Sequence, residues 1–178
     1  MTTIFSDEYF MNEALKEAIK AFEKDEVPVG CVVVHNNRII ARSHNLTECL
    51  NDVTAHAEMQ AITSAANTLG GKYLVDCKIY VTLEPCPMCA AALNWAQVSE
   101  LIYASSDEKK GYSLINYQML HPKTLVRNGV LNRECSQLIK TFFQKRFLYV
   151  RMYKSVLNAL FYKGRFFLME KNRFIVYD

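Results

Sequence analysis

The chain lacks the features that mark membrane, secreted and low-complexity proteins. None of its uncharged apolar runs reaches the ~18 residues that a membrane-spanning helix needs. The N-terminus carries Asp7, Glu8 and Glu13 and has no apolar segment of the kind found in secretory signals. No internal repeat or low-complexity linker interrupts the 178 residues. We therefore expect a cytoplasmic globular protein with one main domain and no membrane association.

Cysteine occurs six times. In a cytosolic chain of this size, cysteines bind metals or lie buried as thiols more often than they form disulfides. Cys86 and Cys89 form a Cys-x-x-Cys pair, which by itself is typical of a structural zinc site or a redox pair. The remaining cysteines are expected to be small buried apolar side chains: Cys31, Cys49, Cys77 and Cys135.

The metal-binding pattern becomes specific when His56 is added to the cysteine pair. A single histidine is more often a capping or core residue, but His56, Cys86 and Cys89 each lie beside a predicted helix start. Three ligands of this kind suit zinc and leave one tetrahedral position open, which is the arrangement of a catalytic site. The pattern H-x-E…P-C-x-x-C is the signature of zinc-dependent base deaminases. The sequence therefore predicts a catalytic zinc ion.

Glu58 has a separate role in this pattern. Residues i and i+2 do not share a face within a helix, so His56 and Glu58 can face one site only if His56 lies in the first turn. Zinc lowers the pKa of bound water from about 15.7 to about 7. Glu58 would then take a proton from this water, pass it to the substrate ring nitrogen and later protonate the leaving ammonia. We predict that Glu58 is catalytic and is not a zinc ligand.

The order of the secondary-structure elements predicts an α/β fold. Helices are expected over about residues 7–25, 55–69, 87–96 and 132–146, and strands over 31–35, 38–44, 78–83, 100–104 and 125–130. Asn36 and Asn37 predict a two-residue hairpin turn, Gly70 a helix end and Pro87 a helix start. A hairpin followed by alternating helices and strands gives a sheet with antiparallel and parallel parts.

The C-terminal part of the chain differs in charge from the rest. Residues 1–144 carry 13 Lys and Arg against 16 Asp and Glu, whereas residues 145–178 carry 8 against 2. We expect a deaminase domain over residues 1–147 and a basic, aromatic extension over 148–178, in which 164–169 and 173–177 could pair as a hairpin. Basic residues interleaved with aromatics can hold single-stranded nucleic acid. The alternatives are packing of the extension on the protein's own dimer and an adhesive extension that is not native to the protein.

Four further segments carry a resemblance: EVPVG at 26–30, HNNR at 35–38, TAHAE at 54–58 and VTLEPC at 81–86. With the zinc motif, they resemble the bacterial tRNA-specific adenosine deaminases (TadA) of the cytidine/deoxycytidylate deaminase superfamily. The resemblance implies a three-layer α/β/α fold with a mixed five-stranded sheet, and a homodimer with its site near the subunit interface. It also implies hydrolytic conversion of the wobble adenosine of tRNA to inosine. The implied partner is the anticodon stem-loop, whose bases are splayed out.

The resemblance also implies roles for residues outside the zinc motif. Asn45 would contact the flipped nucleoside, Val29 would line the base pocket, and Asp107 would contact the ribose or backbone near the target. The residues expected to flank the RNA are Lys109, Phe142, Phe143, Lys145 and Arg146.

A second function stays open at this point. Residues 85–89 followed by 94–96 also resemble guanine deaminase of the same superfamily. A small-molecule deaminase acting on guanine, cytosine or a nucleoside is therefore the alternative. The loop after Asp107 also lacks the small-residue run usual in TadA. A third class is a non-enzymatic partner within a deaminase heterodimer, but such partners usually lose the glutamate that this chain keeps at Glu58.

Overall fold

A mixed five-stranded sheet lies at the centre of the computed structural model. The structure describes residues 5–161, 167–170 and 173–176, with the side chains of residues 5–153 apart from Tyr117. The strands of the sheet are β1 Gly30–His35, β2 Arg38–His44, β3 Cys77–Leu83, β4 Glu100–Ser105 and β5 Leu125–Asn128. Their order is β2-β1-β3-β4-β5, with β1 antiparallel to β2 and β3, and with β3, β4 and β5 parallel. The predicted mixed sheet is confirmed.

Helices cover both faces of this sheet. They are α1 Asp7–Glu23, α2 Thr47–Leu50, α3 Ala57–Leu69, α4 Pro87–Trp95 and α5 Asn132–Phe161. Alternate residues of each strand point to opposite faces. Cys31 and Val33 therefore join the core under α3 and α4, whereas Val32 and Val34 pack with α1 and with Cys135 of α5. The result is the three-layer α/β/α arrangement.

Local chemistry accounts for several of these boundaries. The Ser6 hydroxyl accepts a hydrogen bond from the Tyr9 amide and caps α1. Asn36 and Asn37 both adopt positive φ in the turn between β1 and β2, as their side chains permit. At Gly30 the helix α1 approaches so closely that a β-carbon would lie 2.1 Å from the Ala14 carbonyl oxygen. Only glycine fits there, which lets α1 pack directly on the start of β1.

The sheet brings distant segments to one end. Because β1 is antiparallel to β3, the start of β1 lies beside the end of β3, and the Gly30 amide donates to the Thr82 hydroxyl. The end of β2 is at the same place, since Gly30 pairs with His44. The parallel strand β4 also ends there. Residues that precede β1 or follow β2, β3 and β4 therefore meet at this end of the sheet.

Several predicted features differ from the structure. The last helix does not stop near Arg146 but continues to Phe161, because no glycine or proline occurs between Asn132 and Phe161. The short helix α2 was not predicted, because a segment of four residues is too short to show the periodic pattern of apolar residues that indicates a helix. Cys49 is exposed rather than buried.

The chain forms two compact units, residues 1–140 and 141–178, with the boundary inside α5. The second unit contains the strands β6 Phe167–Glu170 and β7 Arg173–Val176, which pair antiparallel. The other residues of the expected hairpin lie outside the described residues. The proposed domain boundary at 147 stays a prediction. None of the helices in the described part of the chain combines the length and apolar character needed to cross a membrane.

Candidate active site

Two helix starts supply three metal-binding side chains. His56 is the N-cap residue of α3, and Cys86 is the N-cap residue of α4. Cys89 follows in the first turn of α4, after Pro87 has opened the helix. His56 therefore has the place at the helix start that the spacing of His56 and Glu58 requires.

The three ligand atoms lie in one small group. The Nδ1 atom of His56 is 3.5 Å from the Cys89 sulfur and 3.7 Å from the Cys86 sulfur, and all three atoms lie within 4.8 Å of one another. Zinc bonds of about 2.3 Å to sulfur and about 2.0–2.1 Å to nitrogen place neighbouring ligands of a tetrahedron about 3.6 Å apart. The donor set and its spacing fit a metal ion that keeps one open position.

The cysteine pair is electrostatically asymmetric. A hydrogen bond from the Cys89 thiol and a smaller effect of His56 together lower the pKa of Cys86 to about 4, against the opposing effect of burial. The same hydrogen bond, with burial, raises the pKa of Cys89. The Cys86 sulfur also raises the pKa of His56 through their hydrogen bond. A thiolate at Cys86 is thus stabilised by its neighbours, and thiolates are the form that binds metal.

Glu58 lies in the first turn of α3 and is buried, with 3% of its surface exposed. Burial, with a smaller effect of the negative charge on Cys86, raises the pKa of Glu58 to about 7. Interactions with His56 and with the Cys89 thiol lower the pKa of Glu58 by a smaller amount. A buried carboxyl group with a pKa near neutrality, next to a metal-binding group, is suited to take up and release protons.

Val29 and Asn45 lie together at the same end of the sheet. The Asn45 amide donates to the Val29 carbonyl, with a nitrogen–oxygen distance of 3.0 Å. The Asn45 side chain is buried, and its Nδ2 atom donates to Oε2 of Glu26 at 2.9 Å. Val29 is half-buried and packs against the core under α3 and α4. Sequence reasoning gave no role to Glu26, although the residue is part of the EVPVG segment.

Asp107 lies in the loop that follows β4. Its backbone amide donates to Oε2 of Glu84 at 3.0 Å, and its own carboxylate accepts from the amides of Lys109 and Lys110. Oε1 of Glu84 accepts from the Ser113 amide at 3.1 Å. Buried Glu84 therefore ties this loop to the residues just before Cys86. It too was given no role, because its partners lie 23 and 29 residues further along the chain.

The remaining predicted residues differ in exposure. Lys109 is exposed in the loop after β4. Phe142 is buried, whereas its neighbour Phe143 is 52% exposed, and the two rings meet edge to face. Lys145 and Arg146 are exposed, and the Arg146 guanidinium lies 5.5 Å from the centre of the Phe142 ring. Phe142, Phe143, Lys145 and Arg146 belong to the second unit.

Residues 5–105 match the family model described as the cytidine and deoxycytidylate deaminase zinc-binding region. The chain is also 40% identical over 142 residues to the tRNA-specific adenosine deaminase of Streptococcus pyogenes serotype M18, covering 77% of this chain and 89% of that one. The chain belongs to the tRNA-specific adenosine deaminase family. The family member of Aquifex aeolicus is 44% identical over 142 residues, covering 78% of this chain and 94% of that one. The predicted family is confirmed. The predicted enzyme class, a deaminase with a zinc-binding region, is confirmed as well.

Solved structures agree with this assignment to the deaminase family. One from studies of A-to-I editing by tRNA:A34 deaminases superposes with a TM-score of 0.69 at 43% identity, covering 73% of this chain and 98% of that one. A guanine deaminase from Bacillus subtilis superposes with a TM-score of 0.55 at 38% identity, covering 57% and 65%. The guanine deaminase structure thus matches a smaller share of the chain than the tRNA:A34 deaminase structure does.

Proposed function

We propose that the protein is a zinc-dependent hydrolase that converts the wobble adenosine of tRNA to inosine. The observation that carries the reaction class is the convergence of His56, Cys86 and Cys89 beside a buried Glu58. The tRNA substrate is supported by relatives whose names specify tRNA-specific adenosine deaminase and of which this chain covers 89% and 94%.

Each site residue has a defined part in this reaction. His56, Cys86 and Cys89 would hold zinc, which, when bound, acts as a Lewis acid and makes hydroxide available near neutral pH. Glu58 takes a proton from water as the water oxygen bonds to C6 of adenine. Glu58 passes this proton to the ring nitrogen N1, then takes the second proton from the new C6 hydroxyl and gives it to the exocyclic amino group. The bond from C6 to the amino nitrogen breaks, the C6 carbonyl forms and ammonia leaves. Adenosine and water are thereby converted to inosine and ammonia.

The nucleoside would be held by residues at the same end of the sheet. Asn45 and Val29 are joined by a backbone hydrogen bond, so a nucleoside that contacts one of them reaches the other. Asp107 follows β4 and would contact the ribose or the backbone of the target nucleotide. Its carboxylate folds back onto the Lys109 and Lys110 amides, which gives this loop a fixed form.

The anticodon stem-loop is the proposed macromolecular substrate. The exposed side chains of Lys109, Phe143, Lys145 and Arg146 offer positive charge and one aromatic face to RNA. Phe142 is buried and would contribute by supporting Phe143 rather than by stacking on a base. The basic composition of residues 145–178 supports the same role for the extension.

We further propose a cytoplasmic homodimer. The first unit exposes large apolar side chains, each more than half accessible, which a partner subunit would cover: Leu50, Val53, Trp95, Leu114 and Ile115. Sedimentation equilibrium should give twice the mass of 20.5 kDa. Trp95→Glu should shift the protein toward the monomer, and a monomeric wild type would contradict this assembly.

Deamination of a small molecule is the second candidate, and the match to a guanine deaminase structure favours it. The two functions differ in the size of the ligand, since a free base needs a closed pocket and a stem-loop needs an open groove. Ammonia release should be measured with an anticodon stem-loop carrying a wobble adenosine, beside guanine, cytosine and free adenosine. Turnover of the stem-loop supports the proposal. Turnover of guanine with none of the stem-loop would replace it with the second candidate.

A further inference from the structure

Glu26 is a carboxylate without exposed surface in a part of the chain that no catalytic motif includes. It follows the end of α1, and 0% of its surface is accessible. Buried carboxylates are rare unless every lone pair that faces the protein has a partner. Glu26 meets this condition through residues 45–49, which follow β2 and contain the predicted nucleoside contact Asn45.

The carboxylate of Glu26 accepts hydrogen bonds from several groups of this segment. Its Oε1 atom accepts from the Cys49 amide at 2.7 Å, and its Oε2 atom accepts from Nδ2 of Asn45 at 2.9 Å and from the Thr47 hydroxyl at 3.1 Å. The Thr47 hydroxyl in turn accepts a hydrogen bond of 3.0 Å from Nδ2 of Asn45. The carboxylate is therefore the common acceptor of this segment.

The charge of Glu26 decides which way the Asn45 amide faces. Burial raises the pKa of Glu26, but hydrogen bonds from the Cys49 and Glu48 amides and from Thr47 outweigh burial, so the pKa lies below its ordinary value. An ionised carboxylate only accepts hydrogen bonds. The Asn45 group that faces it must therefore be the donor Nδ2 and not the acceptor Oδ1.

This orientation leaves one polar atom of Asn45 for a ligand. Nδ2 donates to Oε2 of Glu26 and to the Thr47 hydroxyl. Oδ1 has no hydrogen-bond donor among the residues that the structure describes, and within these residues no buried side-chain oxygen or nitrogen lacks a partner. Oδ1 is therefore at least partly exposed, and it is the polar atom of Asn45 to which a bound molecule could donate.

We infer that Glu26 is a positioning residue, which fixes the Asn45 side chain so that its amide oxygen can accept a hydrogen bond from a hydroxyl or N–H group of the bound nucleoside. The inference rests on the proposed function in one respect, that the nucleoside binds beside Asn45. Glu26 itself touches no substrate, and it acts through Asn45.

The test is a double-mutant cycle of Glu26→Gln and Asn45→Ala. A glutamine has the shape of Glu26 but brings its own N–H group to the Asn45 donor, so the amide of Asn45 loses its fixed orientation. We expect kcat/KM to fall about ten- to hundredfold in Glu26→Gln, the usual range for a charge-assisted hydrogen bond. If Glu26 acts through Asn45, the double variant should be within about twofold of Asn45→Ala alone. A further fall equal to that of the single Glu26→Gln variant would overturn the inference.

A matched control separates positioning from general stability. Glu13 is also a buried carboxylate, but its partners are Lys16 and Arg42, on α1 and β2. Glu13→Gln should lower the melting temperature and leave kcat/KM within about twofold of wild type. A comparable loss of kcat/KM in Glu13→Gln would show that replacing any buried carboxylate impairs the enzyme. It would overturn the positioning role of Glu26.

A second measurement does not depend on turnover. The NMR signal of the Asn45 side-chain amide is assigned by its absence from the spectrum of Asn45→Ala. Its protons should exchange slowly with water in the wild type and at least about tenfold faster in Glu26→Gln. Equal exchange in both proteins would overturn the inference. The double-mutant cycle is measured with whichever substrate the wild-type protein deaminates. The inference can therefore still be tested if that substrate is not tRNA. If no substrate is deaminated, the proposed function fails and the exchange measurement still decides the orientation.

Discussion

The backbone of Gly111 lies directly against the carboxylate of Glu84. A β-carbon at position 111 would be 2.5 Å from Cδ and 2.6 Å from both oxygens of Glu84. The same oxygens accept the amides of Asp107 and Ser113, on either side of Gly111. The loop after β4 therefore wraps around a single buried carboxylate, and a side chain at position 111 would have to displace that carboxylate from its hydrogen bonds.

Gly111→Ala should destabilise the protein only while Glu84 is present. The backbone at Gly111 has φ −59° and ψ 141°, which alanine adopts without strain, so the whole cost comes from the contact with Glu84. We expect a loss of about 1–3 kcal/mol in the free energy of unfolding, as for overpacked sites. In the Glu84→Ala background the same substitution should cost less than about 0.5 kcal/mol, because the three nearest atoms are gone. Urea unfolding of the four proteins measures both values, and an equal cost in the two backgrounds would refute the contact.

Glu58→Ala should separate proton transfer from metal binding. Glu58 lies outside the His56, Cys86 and Cys89 group, so the metal content measured by mass spectrometry should stay at the wild-type value. Turnover should fall by at least about 100-fold, the lower range for loss of a general acid–base residue. A metal-free Glu58→Ala protein would show that Glu58 is a ligand and that its assigned role is wrong.

Cys86→Ala and Cys89→Ala should each lose both the metal and the activity, because two ligands do not hold zinc firmly. The matched control is Cys135→Ala, which removes a buried cysteine of α5 from the opposite face of the sheet. That variant should keep its metal and its turnover while losing some thermal stability. Full activity in a metal-free Cys86→Ala or Cys89→Ala protein would contradict the mechanism.

Glu26 should make the stability of the protein depend on pH in the acid range. Its pKa in the folded state lies below the ordinary value of 4.5, so the unfolded chain binds the proton more readily. The stability that the carboxylate contributes is therefore present above pH 4.5 and is lost as the pH falls through the folded-state value. The difference in unfolding free energy between wild type and Glu26→Gln should be constant from pH 6 to about pH 5 and should shrink below pH 4.5. A difference that grows on acidification would show that folding raises the pKa of Glu26 and does not lower it.

The sequence predicts those parts of the structure that depend on neighbouring residues. The turn at Asn36 and Asn37, the helix start at Pro87 and the end of α3 at Gly70 each follow from the chemistry of one or two side chains. The His56, Cys86 and Cys89 group is recognisable because metal ligands need particular residue types at particular spacings.

Other features depend on tertiary contacts and could not be predicted. Glu26 and Glu84 look like ordinary charged residues in the sequence, and their importance follows from burial and from partners 19 to 29 residues away. The predicted end of the last helix near Arg146 is wrong, because α5 continues into the second unit. No residue that breaks a helix follows Arg146 before Phe161.

The most direct test of the account is an isotope measurement on the product. An anticodon stem-loop with a single wobble adenosine is incubated with the zinc-loaded protein in ¹⁸O-labelled water, digested to nucleosides and analysed by mass spectrometry. The account predicts inosine in place of the wobble adenosine, with one ¹⁸O atom at C6, and no inosine with the Glu58→Ala protein. Unchanged adenosine in the stem-loop, or inosine without the label, would contradict hydrolytic deamination of tRNA by this protein.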